Sequence, residues 1–152
     1  MNAPLFADDG FAEAQLRLGR MLLSGEDARK DEEAAFAWFA RAAEAGDIEA
    51  HNMLGRCYEN GWGVAKDTTL ARAWYRKSGE GGYFRGAYNY ATMLAVEGCL
   101  AGATLWFERA LATAPEPWRA NMIAALSKST HAALRAIALG MNAQTGATEG
   151  LI

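Results

Sequence analysis

Histidines, cysteines and a glycine-rich loop are the residues of this chain whose types could support catalysis or metal binding. His51 and His131 are eighty residues apart, and a metal site would need both to converge with carboxylates or a thiolate. We interpret both histidines as exposed surface residues. Gly61-Trp62-Gly63 is not a phosphate loop, because no Lys-Ser or Lys-Thr follows it. The sequence therefore predicts no catalytic set, no metal site and no cofactor.

The two cysteines are predicted to be reduced and not bonded to each other. Cys57 falls at an apolar helical position, whereas Cys99 falls near a turn, so the two positions are not equivalent. Free thiols fit a reducing compartment. The N-terminus has neither a basic start nor an apolar run, so it does not resemble a signal peptide. We expect a cytoplasmic protein, and the Ala- and Arg-rich composition favours a bacterial source.

An internal repeat of 36 residues must position all of these side chains. The matching pairs are Leu18-Gly19 and Leu54-Gly55, Gly25 and Gly61, Lys30-Asp31 and Lys66-Asp67, Trp38-Phe39 and Trp74-Tyr75, and Gly46 and Gly82. A third copy begins in register at Gly86 and is four residues shorter before Trp106-Phe107. Self-similarity at this period is typical of a solenoid.

Each copy has the parts of a helical hairpin. In the second copy, small and apolar residues recur at helical spacing from Ala50 onwards, and Gly61 follows where a helix end favours positive φ. Asp67 is placed to cap the second helix. Gly55 should lie against that second helix with Trp74 buried nearby, and Trp38 and Trp106 share the Trp74 position. The predicted helices are 12–24, 32–45, 48–59, 68–80, 84–96 and 101–113, with no β-sheet.

This pattern resembles the Sel1-like repeat, a relative of the tetratricopeptide repeat. The resemblance rests on Leu54-Gly55-x-x-Tyr58, Gly61-Trp62-Gly63-Val64-x-Lys66-Asp67 and Ala71-x-x-Trp74-Tyr75. It implies an all-α fold, a right-handed α/α superhelix of three hairpins at 12–47, 48–83 and 84–114. The first copy departs from the family loop at Glu26-Asp27-Ala28, and the third copy lacks the Lys-Asp cap. The family implies a scaffold that holds proteins or peptides and has no chemistry of its own.

Segments outside the repeats are predicted to lead into the solenoid and to cover its end. Residues 1–11 form a lead segment, 115–141 a C-terminal cap, and 142–152 a mobile tail. The spacing in 115–141 fits one long capping helix, or two helices with a break at Ser127-Lys128-Ser129-Thr130. A solenoid end exposes a hydrophobic face unless such a segment covers it.

The concave side is the predicted binding surface, because the first helices of the related tetratricopeptide fold line that side. The candidate partner-binding residues are Leu16, Arg20, Asn52, Arg56, Glu59, Tyr88 and Thr92. An Asn side chain can pair with a peptide backbone and an Arg side chain with a carboxylate. Alternatively these are ordinary exposed residues, with Arg56 paired to Asn52 or Glu59.

The charge distribution bears on the kind of partner. Residues 1–50 hold 11 acidic and 5 basic side chains, whereas residues 51–152 hold 7 and 10. The net charge of −3 argues against nucleic acid, and no apolar stretch is long enough to span a membrane. We expect a non-catalytic scaffold, a monomer or weak homodimer, that binds a peptide or helix of a partner protein in its concave groove. The alternative is an accessory or regulatory subunit that docks an enzyme through its convex face or capping helix.

Overall fold

The computed structural model describes residues 9–149. These residues form helices and contain no strand. The helices are α1 (Asp9–Ser24), α2 (Glu32–Glu44), α3 (Ile48–Asn60), α4 (Thr68–Glu80), α5 (Phe84–Val96), α6 (Leu100–Thr113), α7 (Glu116–Ser127) and α8 (Ala132–Glu149). The six predicted repeat helices are confirmed, with the largest difference at the start of α1. Across this part of the chain, every helix is too short or too polar to cross a bilayer.

Neighbouring helices pack as antiparallel pairs, α1 on α2, α3 on α4 and α5 on α6. The pairs stack in sequence order, because α2 packs on α3 and α4 packs on α5. Each hairpin thus buries its apolar face against the next one, which is how a solenoid builds a continuous core. The predicted all-α solenoid is confirmed.

Aspartate caps set the starts of the second helices. The carboxylate of Asp31 accepts a hydrogen bond from Ala34 N, and that of Asp67 accepts one from Leu70 N, both at 3.0 Å. Each bond satisfies an N–H group that has no partner inside the helix. In the third copy α6 begins after Cys99 without a side-chain cap, as its sequence indicates.

Glycines in the first helices allow the second helices to approach closely. A Cβ added at Gly55 would lie 2.5 Å from Tyr75 Cδ1, and one added at Gly19 would lie 2.5 Å from Phe39 Cε1. The close contact predicted at Gly55 is therefore present. The prediction that Trp74 is the buried neighbour was wrong, since Tyr75 is 1% exposed and Trp74 is only half-buried. Adjacent helical positions point about 100° apart, so only one of the two rings can face the glycine.

The tryptophan position of the repeat lies at the edge of the core. Trp38, Trp74 and Trp106 are all half-buried, and each carries a cation above its ring from the residue three positions later. The cation-to-centroid distances are 4.8 Å for Arg41, 5.4 Å for Lys77 and 4.8 Å for Arg109. The prediction that these tryptophans are core residues was wrong. Trp74 and Trp106 pack against the core from its edge, and a face of each of the three rings carries a surface cation.

The C-terminal segment forms two helices with a break after Ser127. This is one of the two arrangements that the sequence left open. The α7–α8 pair shares a core with α6, to which Met122, Leu126, Leu134 and Ile137 contribute. Here α8 rather than α7 packs on α6, which differs from the earlier repeats. Helix α8 continues to Glu149, beyond the predicted end of the cap at residue 141. The rest of the predicted tail, 150–152, lies outside the described residues, as does 1–8 of the lead segment.

Cys57 and Cys99 occupy the environments that the sequence predicts. Cys57 is buried within α3, and burial raises the pKa of its thiol to about 12. Cys99 is exposed at the start of α6, and both cysteines are free. A buried thiol with a raised pKa is a packing group rather than a nucleophile.

Candidate functional site

Helices α1, α3, α5 and α7, the first helices of successive hairpins, line one groove. It contains two cavities, of about 380 Å³ and about 320 Å³, and the two share Asn52, Arg56 and Arg85. We name them the α7-side cavity and the α1-side cavity. The other residues of the α7-side cavity are Tyr88, Asn89, Trp118, Asn121 and Met122. The other residues of the α1-side cavity are Arg20, Leu23, Ser24, Met53, Trp62 and Tyr83.

Arg85 is the most enclosed cation of the groove. Its guanidinium carbon lies 4.1 Å from the centroid of the Trp118 ring. Its Nε is buried and has no hydrogen-bond partner among the described residues. Stacking on an aromatic face leaves the in-plane N–H groups of a guanidinium able to bind an acceptor.

Arg85 was not predicted from the sequence as a binding residue, although its position in the repeat differs in charge from the equivalent positions. Arg85 takes the repeat position of Glu13 and Glu49, so the charge at this position reverses in the third copy. A reversal of charge between equivalent positions marks a surface that differs from repeat to repeat. The predicted binding residues begin about one turn further along each helix, so this position was not among them.

Arg56 is the second cation shared by the two cavities. Its guanidinium carbon lies 5.1 Å from the centroid of the Trp62 ring, and Nη1 lies 3.9 Å from Met53 Sδ. The alternative pairing of Arg56 with Asn52 or Glu59 is not present in the structure. Glu59 instead accepts a hydrogen bond from the Tyr75 hydroxyl at 2.5 Å. Within the described residues, neither Arg56 nor Arg85 forms an ion pair with a carboxylate.

Three asparagines, one each from α3, α5 and α7, line the groove beside these cations. Asn89 Nδ2 donates to Asn52 Oδ1 at 2.9 Å, which ties α5 to α3. This bond leaves the NH₂ group of Asn52 and the carbonyl of Asn89 as a donor and an acceptor. Asn121 on α7 is exposed and extends the row.

The structure brings four of the seven predicted residues to the groove: Arg20, Asn52, Arg56 and Tyr88. Arg20 is already paired there, because its Nη2 lies 2.6 Å from Glu49 Oε2. Tyr88 packs edge-on against the core residue Phe107, with ring centroids 5.3 Å apart.

The other three predicted residues lie outside both cavities. Leu16 is only 3% exposed and belongs to the core, so its prediction as a surface residue was wrong. It lies in one hydrophobic cluster with residues of α2 and α3, including Phe39 and Met53. Glu59 is exposed but is bound to Tyr75, and the Thr92 hydroxyl donates to Tyr88 O of its own helix at 2.9 Å.

His51 is buried, which corrects its prediction as a surface residue. It is 5% exposed, and its Nε2 donates to Ala43 O of the preceding hairpin at 3.2 Å. Its ring lies against Trp74, with centroids 5.5 Å apart. Burial lowers the pKa of His51 by disfavouring the charged form, and the Ala43 bond opposes this shift. His131 is exposed, as predicted.

Other parts of the described surface offer less for a ligand. Two larger depressions, of about 940 Å³ between the α1–α2 and α3–α4 loops and about 770 Å³ between α1 and the α2–α3 turn, are each lined by charged residues of both signs. Among residues 9–149, no three His, Cys, Asp or Glu side chains come close enough to hold a metal ion. The groove is therefore the best-defined candidate site.

Comparison with known proteins identifies the repeats. The Sel1 repeat profile matches residues 12–47 and 48–83, the predicted boundaries of the first two copies. The chain therefore contains two consecutive Sel1 repeats, which confirms the predicted resemblance over residues 12–83. Proteins of this family are generally non-catalytic scaffolds for protein interactions.

Two solved structures share the fold. A Sel1 repeat protein from Oxalobacter formigenes is 29% identical, with a TM-score of 0.65 over 77% of this chain and 50% of its own. The protein c5321, a protective antigen of uropathogenic Escherichia coli strains with an SLR fold, is 33% identical. Its TM-score is 0.66 over 77% of this chain and 26% of its own. The chain thus spans half or less of these relatives. None of the curated proteins compared with this sequence matches it.

Proposed function

We propose that this protein is a non-catalytic scaffold whose groove binds a peptide or helix of a partner protein. The observation that carries the proposal is the pair of adjoining cavities along α1, α3, α5 and α7. A groove lined by successive first helices can follow a segment over several residues. The general role of Sel1-like repeat proteins supports the same function.

The side chains in the groove suit a peptide. The amides of Asn89 and Asn121 can bond to a peptide backbone, and Asn52, which is only 4% exposed, holds Asn89 in place. The rings of Tyr88 and Trp118 add apolar area, which supplies most of the affinity at small recognition sites. Trp118, which the sequence assigned to the cap, thus becomes a groove residue.

Site-specific photo-crosslinking tests which surface the partner contacts. A photoreactive amino acid replaces either Tyr88 in the groove or Leu139, an exposed residue of α8 (69% exposed). The proposal expects one partner to crosslink at position 88 and not at 139. With that partner purified, Arg56→Ala and Tyr88→Ala should each weaken binding at least several-fold. Arg56→Ala should leave the melting temperature unchanged, whereas Tyr88→Ala also removes the contact with Phe107 and should lower it.

One observation supports the alternative function, docking of an enzyme through the convex face or the cap. Leu139 on α8 and Leu105 on α6 are large apolar side chains that are more than half exposed, and α6 packs on α8. An accessory subunit could dock an enzyme through this part of the surface. Crosslinking at position 139 alone, with full binding by the two groove variants, would replace our proposal by this one.

A further inference from the structure

We infer that the bound segment carries an acidic side chain in its interior, with an apolar residue on each side of it. This inference rests on the proposed function, because it specifies the ligand of the same groove. It follows from three features of the groove: its charge, its aromatic walls and its continuity.

The charge of the groove is positive and uncompensated at its centre. Arg56 and Arg85 line both cavities, and no Asp or Glu lines either one. Two arginines outside the groove have a local counter-charge: Arg72 lies 2.6 Å from Glu97, and Arg76 lies 2.8 Å from Glu80. A guanidinium without a counter-charge favours an anionic ligand group, and the effect is larger at the half-buried Arg85 than at the exposed Arg56. The buried, unpartnered Nε of Arg85 gives the same indication.

Apolar side chains flank this centre in both directions. The α7-side cavity offers Tyr88, Trp118 and Met122, and the α1-side cavity offers Leu23 and Trp62. A ligand that places its acidic group between Arg56 and Arg85 therefore meets an apolar site on either side. An apolar side chain that enters such a site gains affinity from the area it buries.

The continuity of the groove favours an internal acidic residue over a chain terminus. A terminal carboxylate at Arg56 and Arg85 would leave one of the two cavities unused. A segment that passes through both cavities places its carboxylate on a side chain instead. The two arginines can each supply charge-assisted hydrogen bonds to that carboxylate.

Selection from a random peptide library tests the inference. The probe is a library of peptides of about ten residues, acetylated and amidated so that neither terminus is charged. We expect the full chain to enrich peptides with one internal Asp or Glu between apolar residues. Replacing that acidic residue by its amide should weaken binding roughly tenfold or more, measured by fluorescence anisotropy.

Charge reversal in the protein provides the matched test. Arg56→Glu should turn the selection towards peptides with Lys or Arg in the centre. The control is Arg29→Glu, which reverses an equally exposed charge in the α1–α2 loop, outside the groove. We expect this control to select the same acidic peptides as the parent. Unchanged selection by Arg56→Glu would overturn the inference.

Other outcomes separate this inference from the function on which it rests. Enriched peptides that depend on Tyr88 but lack acidic residues would overturn the inference and leave the proposed function standing. If no enriched peptide lost affinity on Tyr88→Ala, the proposed function itself would fail. Enrichment from a matched library with free C-termini, and none from the blocked library, would replace the side chain by a terminal carboxylate and overturn the inference. Comparable binding of a thymidine oligonucleotide, lost on Arg56→Glu, would indicate a phosphate ligand and overturn the inference.

Discussion

The first repeat (12–47) and the second (48–83) have nearly the same skeleton and different groove chemistry. Gly19 and Gly55 bring an aromatic ring equally close, and Gly25 and Gly61 take φ values of 74° and 75°. These positions fix where each helix ends and how closely its partner packs. The two hairpins therefore share the same helix end and the same close contact between their helices.

Groove positions, by contrast, change from one repeat to the next. Arg20 is neutralised by Glu49, whereas Arg56, at the same position one repeat later, has no carboxylate partner in the described part of the chain. Leu16 is a core residue, whereas Asn52 at the equivalent position bonds across to Asn89. A solenoid can thus vary its recognition surface while it keeps its stacking.

The close glycine contact should give the largest effect, and equally in both repeats. Gly19→Leu and Gly55→Leu should each lower the free energy of unfolding by roughly 1–3 kcal/mol, because the new side chain collides with Phe39 or Tyr75. Urea unfolding measures both. The control is Gly140→Ala, where an added Cβ meets nothing within 4 Å and stability should rise by about 0.5–1 kcal/mol. If either leucine variant unfolded at the same urea concentration as the parent protein, the two glycine contacts would not be equivalent.

The aspartate caps should give the next largest effect. Asp31→Ala and Asp67→Ala should each cost about 1 kcal/mol, because each leaves a helix N–H without its acceptor. Thermal and urea unfolding give the two values. Asp27→Ala removes an exposed loop carboxylate without such a bond and serves as the control. If the two variants lost free energies of unfolding that differed by more than twofold, the two caps would be unequal in energy despite their similar geometry.

The Tyr75–Glu59 hydrogen bond belongs to the second repeat alone, since the first has Phe39 and Leu23 at these positions. Tyr75→Phe should lower the free energy of unfolding by about 0.5–1.5 kcal/mol. Adding Glu59→Leu, which reproduces the pair of the first repeat, should recover part of this loss. A double-mutant cycle measures the coupling. Strict additivity of the two changes would mean that the bond contributes nothing to stability.

His51 should give the smallest effect, visible only as a dependence on pH. Its pKa is lowered in the folded state, so its neutral form is favoured there and the unfolded chain binds a proton first. The stability that neutral His51 contributes is complete when the pH is above 6.5, the ordinary pKa of histidine. It declines as the pH falls below that value. His51→Gln, which installs the residue of the first repeat, should remove this decline, measured by unfolding between about pH 7.5 and about pH 5.5. His131→Gln, at an exposed position, should not remove it.

Sequence alone determined the features that depend on local chemistry. The 36-residue period, the helix boundaries, the caps at Asp31 and Asp67 and the turn at Gly61 follow from residues close together in the chain. A cap or a glycine turn acts within about four residues, so its signal survives whatever packs around it. The resemblance to the tetratricopeptide fold implied that the first helices form a common surface, and Asn52, Arg56 and Tyr88 line one cavity.

Tertiary structure decided which side chains each surface exposes. Leu16 and His51 are covered by the neighbouring hairpin, and Tyr75 rather than Trp74 faces the glycine of its partner helix. The guanidinium of Arg85 is enclosed on one side because α7 places the ring of Trp118 against it. Burial and stacking at these positions depend on helices that are distant in sequence, and periodicity within a single helix carries no information about them.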